Sequence, residues 1–178
     1  MPPYEILYIS ELSPTTSPAT IAEILVQARK QNKLNGITGL LLFDGEHFIQ
    51  VLEGDREEVL AVMSRIESDA RHSGVKRLHE GFIAQRQFQC FGIGYWYVED
   101  ESRVLHLGKL SGRAAMDELL ARRVEFDVES DTPLFSVPAP KPVESPTRSD
   151  AMAFRQKLYR VTATAPFPRT SRNFTNQW

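Results

Sequence analysis

The chain has 178 residues, 42% of them hydrophobic and 25% charged, the make-up of an ordinary globular domain with a core of its own. Its formal net charge of −2 gives no sign of a nucleic-acid or membrane partner, and one cysteine, Cys90, excludes an internal disulfide or a cysteine metal cage. The opening Met1-Pro2-Pro3-Tyr4 is not a signal peptide and no apolar run is long enough to span a bilayer, so a cytoplasmic setting is expected. Charge is unevenly spread: residues 139–178 carry seven Lys or Arg against two acids, while the first 138 carry fourteen against twenty-one. A solvated basic tail offsetting an acidic body accounts for this.

Tyr4 to Ser10 reads as a strand, with Tyr4, Ile6 and Tyr8 on one face and Leu7 and Ile9 on the other. Ser17 then caps a helix that has Pro18 at its first position. Ile21, Ile24, Leu25 and Ala28 form its apolar stripe, which Asn32 continues as a polar group. A hairpin follows, Ile37 to Phe43 and Glu46 to Glu53, joined by Asp44-Gly45 as a two-residue turn. That turn sets Leu41 opposite Phe48 and Gly39 opposite Gln50, so Gln50 shares a face with Leu41 and Phe48 and has open space across from it.

Asp55 and Glu58 make a capping-box-like start to a second helix with Val59, Val62, Met63 and Ile66 inward. Arg65 and Asp69 lie at the edge of that stripe. Strands at Val75 to Gln85 and Ile93 to Val98 complete a βαββαββ order. The fold class is therefore α+β: a ferredoxin-like, five-stranded mixed sheet with two helices on one face. The other face carries Leu40, Leu42, Ile49 and Val51 and needs a cover. Two downstream helices are candidates, Gly112 to Arg123 and Asp150 to Val161, the latter with Ala151, Phe154, Leu158 and Val161 at helical spacing. A Pro-rich linker separates them. The expected organisation is 1–100 as the main domain, 101–130 as a helical cap, 131–148 as linker, and 149–178 as a helix with a basic, partly disordered tail.

Phosphate loops, zinc-ligand spacings and nucleophile elbows are missing from the sequence. His47, His72, His79 and His106 do not stand at ligand spacing, so no metal site is expected. The unusual feature is inward-facing polar residues. Tyr8 and Gln50 sit on the sheet face that the helices cover, and Asn32 sits on the first helix stripe. Buried amides and phenols need partners. Three converging between two helix faces suit a flat ligand whose edge alternates donors and acceptors, because each amide offers both.

The segments Asn35-Gly36-Ile37-Thr38-Gly39-Leu40-Leu41 and Phe48-Ile49-Gln50-Val51-Leu52-Glu53-Gly54 resemble the BLUF family of blue-light sensors using FAD. So do Leu7-Tyr8-Ile9-Ser10 and Asp69-Ala70-Arg71-His72. The resemblance covers about residues 4–98 and has the fold read above. It implies a non-covalently held FAD, with FMN or riboflavin as possible substitutes. It implies Tyr8 as electron and proton donor, Gln50 as the switching amide, and Asn32 as partner of the ring's pyrimidine edge. Arg65 and Asp69 match polar positions lining the site, and His72 a histidine near the ring. Ser10 and Arg71 fall in the matching segments and join the cofactor-binding set. Ile24, Leu25, Leu41 and Ile66 become the walls around the ring.

One stretch departs from the family. Its Arg-x-Phe-x-x-Trp-x-Met pattern reads here Arg86-Gln87-Phe88-Gln89-Cys90-Phe91-Gly92-Ile93, with Phe91 for the Trp and Ile93 for the Met. Trp96, five residues from Phe91, faces the opposite side. The resemblance implies a photoreceptor rather than an enzyme, signalling through a downstream protein or a homo-oligomer, with no membrane or nucleic-acid partner. Two alternatives stand beside it: a light-insensitive interaction module and an acylphosphatase-like hydrolase. The hydrolase needs an arginine in its anion-binding loop, and Ser10 to Ser17 has none.

Overall fold

A computed structural model describes residues 1–16, 18–96, 102–130 and 134. The chain divides into two compact units, Met1–Pro146 and Thr147–Trp178, and all described residues belong to the first. The expected cap at Ser17, the linker and the helix bearing Ala151, Phe154, Leu158 and Val161 lie outside them.

The elements are β1 (Tyr4–Leu12), α1 (Pro18–Leu34), β2 (Thr38–Phe43), β3 (His47–Gly54), α2 (Arg56–Glu67), β4 (His72–Phe82) and β5 (Phe91–Trp96). They are followed by α3 (Ser102–Lys109), α4 (Arg113–Ala121), a 3₁₀ turn (Arg123–Glu125) and β6 (Phe126–Glu129). The sheet order is β4-β1-β3-β2-β5-β6. Its first four strands are mutually antiparallel neighbours, the ferredoxin-like unit, and β5 adds parallel to β2. The sheet has six strands rather than the expected five, because β6 pairs antiparallel with β5. The fourth strand also starts earlier than expected, at His72, so His72 belongs to β4 itself.

β1 and β3 are buried almost throughout, which fits strands covered on both faces. Asp55 caps α2 as expected, its carboxylate accepting from the backbone N of Glu57 at 3.0 Å. Glu57 and Glu58 add favourable charge to that first turn.

The hairpin register differs from the one expected. Phe43 pairs with Phe48, Leu41 with Gln50 and Gly39 with Leu52. The turn is centred one residue later, on Gly45-Glu46. The Asp44 carboxylate accepts from the backbone N of Glu46 (2.8 Å) and of His47 (2.6 Å), while Asp44 N donates to His47 O at 3.3 Å. Asp44 thus leaves the turn centre and becomes its flank. Each residue changes partner by two positions, an even number, so every side chain keeps its face. Gln50 still shares a face with Leu41 and Phe48. Gly39 does not open space beside Gln50. Its φ is 146° and a Cβ there would lie 2.0 Å from the Val51 carbonyl oxygen, so glycine permits a close backbone approach.

The second sheet face is covered by two helices where one was expected before the linker. Leu40, Leu42, Ile49 and Val51 pack with Val104 and Leu107 of α3, Ala115, Met116 and Leu119 of α4, and Leu134. All are buried, and each large side chain contributes about 1.5–3 kcal/mol. α3 is eight residues long and carries Gly108 in its last turn, a residue that lowers helix propensity, which hid it from the periodicity reading. The cover that this face was expected to need is supplied by α3 and α4 of the same chain. Trp96 is fully buried in this second core, its Nε1 donating to Glu125 Oε2 at 3.1 Å, on the side expected for it.

Candidate functional site

α1 and α2 cross the first sheet face and leave a cleft between them. Its cavity volume is about 130 Å³, and it opens toward solvent. Its floor is Tyr8 of β1, Gln50 of β3 and Leu41 of β2; its walls include Ile24, Ala28 and Asn32 of α1, and Val62, Arg65 and Ile66 of α2. Asp69, Arg71 and His72 close one end.

The floor is built by register. Tyr8 stands directly across from Gln50 on β3, and Gln50 directly across from Leu41 on β2. The Tyr8 hydroxyl donates to Gln50 Oε1 at 2.5 Å, with both residues buried. Burial, with the Asp69 carboxylate adding to it, pushes the Tyr8 phenol well above the ordinary tyrosine range. Tyr8 is thus a neutral donor, and its proton is aimed at an amide oxygen.

Asn32 is 2% exposed, and its Nδ2 is buried with no hydrogen-bond partner. An unmade buried hydrogen bond of this kind costs about 1–3 kcal/mol. The amide lines the cleft, so a ligand acceptor placed there would satisfy it. This orphaned donor, beside the Gln50 amide and between apolar walls, fits a planar heteroaromatic group with acceptors at its edge.

At the closed end, Arg71 grips Asp69 with Nε at 2.9 and 3.0 Å and Nη2 at 2.5 Å. The hydrogen bonds donated by Arg71 hold the Asp69 carboxyl below its usual range, and the same bonds to Asp69 raise Arg71. His72 lies against the Phe48 ring at 4.7 Å, and its Nδ1 is 2.8 Å from Ser10 Oγ. Burial lowers the His72 pKa, favouring a neutral imidazole that forms part of the wall rather than a surface charge.

Ten of the twelve residues singled out from sequence line this cleft: Tyr8, Ile24, Asn32, Leu41, Gln50, Arg65, Ile66, Asp69, Arg71 and His72. Two do not. Leu25 is buried but turned away from the cleft wall, because Ile24 and Ala28, not Leu25, are the α1 positions facing it. Ser10 stands behind His72 and reaches the cleft only through that imidazole. Gln27 and Gln31 of α1 also line the cleft and were missed. The signal was their four-residue spacing beside the Ile24–Ala28 stripe.

Phe91 and Ile93 sit beside the site rather than in it. Ile93 neighbours Leu41 on β2 and Phe91 neighbours Gly39, so Leu41 separates Ile93 from Gln50.

Among the described residues, no group of three or more His, Cys, Asp or Glu is placed to hold a metal ion, and no helix is long and apolar enough to cross a membrane. The chain is 32% identical over 88 residues to the blue light- and temperature-regulated antirepressor BluF of Escherichia coli (strain K12), a match covering 49% of this chain and 22% of that protein. It therefore spans well under two thirds of that relative. Among solved structures, the ground state of BlsA superposes with a TM-score of 0.57 at 27% identity, covering 67% of this chain and 86% of that one. The dark state of BlrB, a BLUF protein, gives 0.56 at 28% identity, covering 66% and 92%. The family model for sensors of blue light using FAD matches residues 4–94, more than half of the chain, over the strands and helices that build the cleft, and the protein belongs to the BLUF family.

Proposed function

We propose that this chain is a blue-light photoreceptor that holds FAD non-covalently in the cleft between α1 and α2 and switches through Tyr8 and Gln50. The observation that carries this reading is the buried hydrogen bond from the Tyr8 hydroxyl to Gln50 Oε1 at the cleft floor. Asn32 would hold the pyrimidine edge of the ring with its unpartnered amide. Ile24, Leu41, Val62 and Ile66 would flank the ring and exclude water, while Arg65 and Arg71 supply positive charge at the cleft's polar side. FMN or riboflavin would make the same ring contacts.

When bound and excited, the flavin supplies a one-electron oxidant. Tyr8 would be the donor phenol, and its proton would not leave ahead of its electron, because burial disfavours a tyrosinate in the resting state. Gln50 receives that hydrogen bond and can answer by rotating or by changing tautomer. Tyr8 would regain its electron and proton, and Gln50 would be left in its second arrangement. Both states would then differ in the Gln50 hydrogen bonds, by rotamer or by tautomer, with no bond made to the cofactor, a bistable element whose population light shifts.

The signal would pass to a partner protein by contact. The reading is tested by an absorption spectrum of the purified, FAD-reconstituted protein before and after blue light. A small red shift that reverses in the dark is expected. Loss of all flavin on desalting, or a bound flavin whose spectrum light does not move, would sink it.

A further inference from the structure

Away from the cleft, two acids are fully buried as direct neighbours. Glu5 of β1 and Glu53 of β3 stand opposite one another across the ladder, both 0% exposed, on the sheet face that carries Leu7 and Val51. Opposed like charges on one sheet face destabilise it, and more so without water.

Their partners differ in kind. Glu5 Oε1 is 2.9 Å from Nε2 of His79 on β4 and 3.8 Å from Nη1 of Arg113, the first residue of α4; its Oε2 accepts from Gln87 Nε2 at 3.3 Å. Glu53 has neutral donors. Gln87 N lies 3.0 and 3.1 Å from its two oxygens, Phe88 N is at 3.1 Å and the Thr38 hydroxyl at 3.3 Å. Arg86 reaches only as far as that hydroxyl, at 3.4 Å. Asp117 binds Arg113 Nε at 2.9 Å and so draws part of that charge away from Glu5. His79 and Arg113 can match one negative charge here but are poorly placed to match a second on Glu53.

We propose that Glu5 and Glu53 hold one proton between them, carried on Glu53, and that its loss loosens the seat of α4 on β4, making attachment of the cap sensitive to pH. The Thr38 hydroxyl can turn to accept from the protonated acid, since a hydroxyl both donates and accepts. Burial, with Glu5 adding to it, pushes the Glu53 carboxyl up to about 7 against the hydrogen bonds from Gln87 and Phe88 that pull it down.

The coupling to α4 is geometric. Gly112, immediately before Arg113, donates its N–H to Leu78 O at 2.7 Å, next to His79. The proposed opening lifts this junction, which carries both the Arg113 contact to Glu5 and the Gly112 bond to β4. A hydrated glutamate titrates near 4.5, so between that value and about 7 the closed arrangement holds a proton that the opened one releases. The resulting stability is complete below the lower value and is lost as pH rises through the upper one. Over that window opening is favoured by up to about tenfold per pH unit.

The test is an infrared titration of the full chain, with isotope-labelled glutamate, on both sides of neutrality, paired with hydrogen exchange at the Gly112 amide corrected for intrinsic rates. A protonated-carboxyl band with a midpoint of about 7 is expected, missing in Glu53→Gln, where only the ordinary glutamates titrate near 4.5, and moved to lower pH in Glu5→Gln. Gly112 exchange should rise across the window in the natural protein and stay flat in Glu53→Gln. Absence of the band, its survival in Glu53→Gln, or a pH-independent Gly112 in the natural protein each overturns the proposal. Should Glu53→Gln not fold, the Glu5→Gln midpoint decides, and an unmoved midpoint is the overturning result.

Discussion

The phenol of Tyr8 donates to the amide oxygen of the residue directly across the β1–β3 ladder from it, Gln50. Strand pairing alone therefore aligns donor and acceptor. Tyr8→Phe and Gln50→Leu should each abolish a light-induced red shift while leaving flavin bound. Phe keeps the ring but removes the oxidisable hydroxyl; Leu keeps much of the volume but removes the amide. Light–dark difference spectra check this, and a full-sized shift in either variant refutes the role given to that residue.

Asn32→Leu separates binding from folding by sign. In the empty protein the Nδ2 of Asn32 is buried and unpartnered, so its removal should leave stability unchanged or raise it. Flavin affinity should fall about 5- to 150-fold, the worth of one buried hydrogen bond of about 1–3 kcal/mol. Denaturant melts of the empty protein and a flavin titration read the two effects. Lower stability with unchanged affinity would make Asn32 purely structural.

Phe91→Trp and Ile93→Met should keep the red shift and alter its dark recovery. Ile93 touches the switch only by way of Leu41, its neighbour on β2 and the residue facing Gln50. Ile93→Met should consequently act more strongly than Phe91→Trp, whose neighbour is Gly39. Recovery kinetics after a blue-light pulse decide, with unchanged rates in both variants showing that β5 is uncoupled from the cleft.

Leu119→Ala in α4 should cost about 2–5 kcal/mol, the range for truncating a fully buried leucine. Leu119 is 1% exposed and packs with Leu40, Leu42, Ile49 and Val51, so the cap belongs to the same core as the sheet. Urea denaturation should show one cooperative transition shifted as a whole. An early separate transition would mean that the cap unfolds independently.

High pH should destabilise the protein through Tyr8. Its phenol is held above the ordinary tyrosine value of 10.0, so the stability it contributes is complete below that value and is lost as pH rises through the folded one. Comparing denaturation at neutral and strongly alkaline pH, Tyr8→Phe should lose less stability than the natural protein. An equal loss in both would assign the alkaline effect to other groups.

Much of this was legible in the sequence because parity carries it. Alternation fixed which side Tyr8, Gln50, Leu41 and Trp96 take, and the Asp55 cap and the helix stripes placed α1 and α2. Register was harder to read. Asp44-Gly45 is a favoured turn pair, yet the Asp44 carboxylate binds two backbone N–H groups ahead of it and moves the turn onward by one residue. α3 escaped because two buried residues, Val104 and Leu107, in eight make too short a period to detect. Gln27 and Gln31 escaped because their four-residue spacing beside the Ile24–Ala28 stripe reads equally as a solvated helix edge until the neighbouring wall is known. The contact of Arg29 on α1 with Glu129, 3.0 Å to the carbonyl oxygen, joins residues a hundred positions apart and has no local signature.

β3 serves two interiors at once, with Phe48 and Gln50 turned to the cleft and Ile49, Val51 and Glu53 turned to the cap. A single-residue insertion or deletion inside His47–Gly54 would exchange these sets, sending the amide among the leucines of the cap and an aliphatic side chain to the cleft floor. Length changes in this protein are therefore far more costly in β3 than substitutions of similar size. An insertion at the tip, Gly45-Glu46, lies outside the β2–β3 ladder and leaves the parity of both strands unchanged.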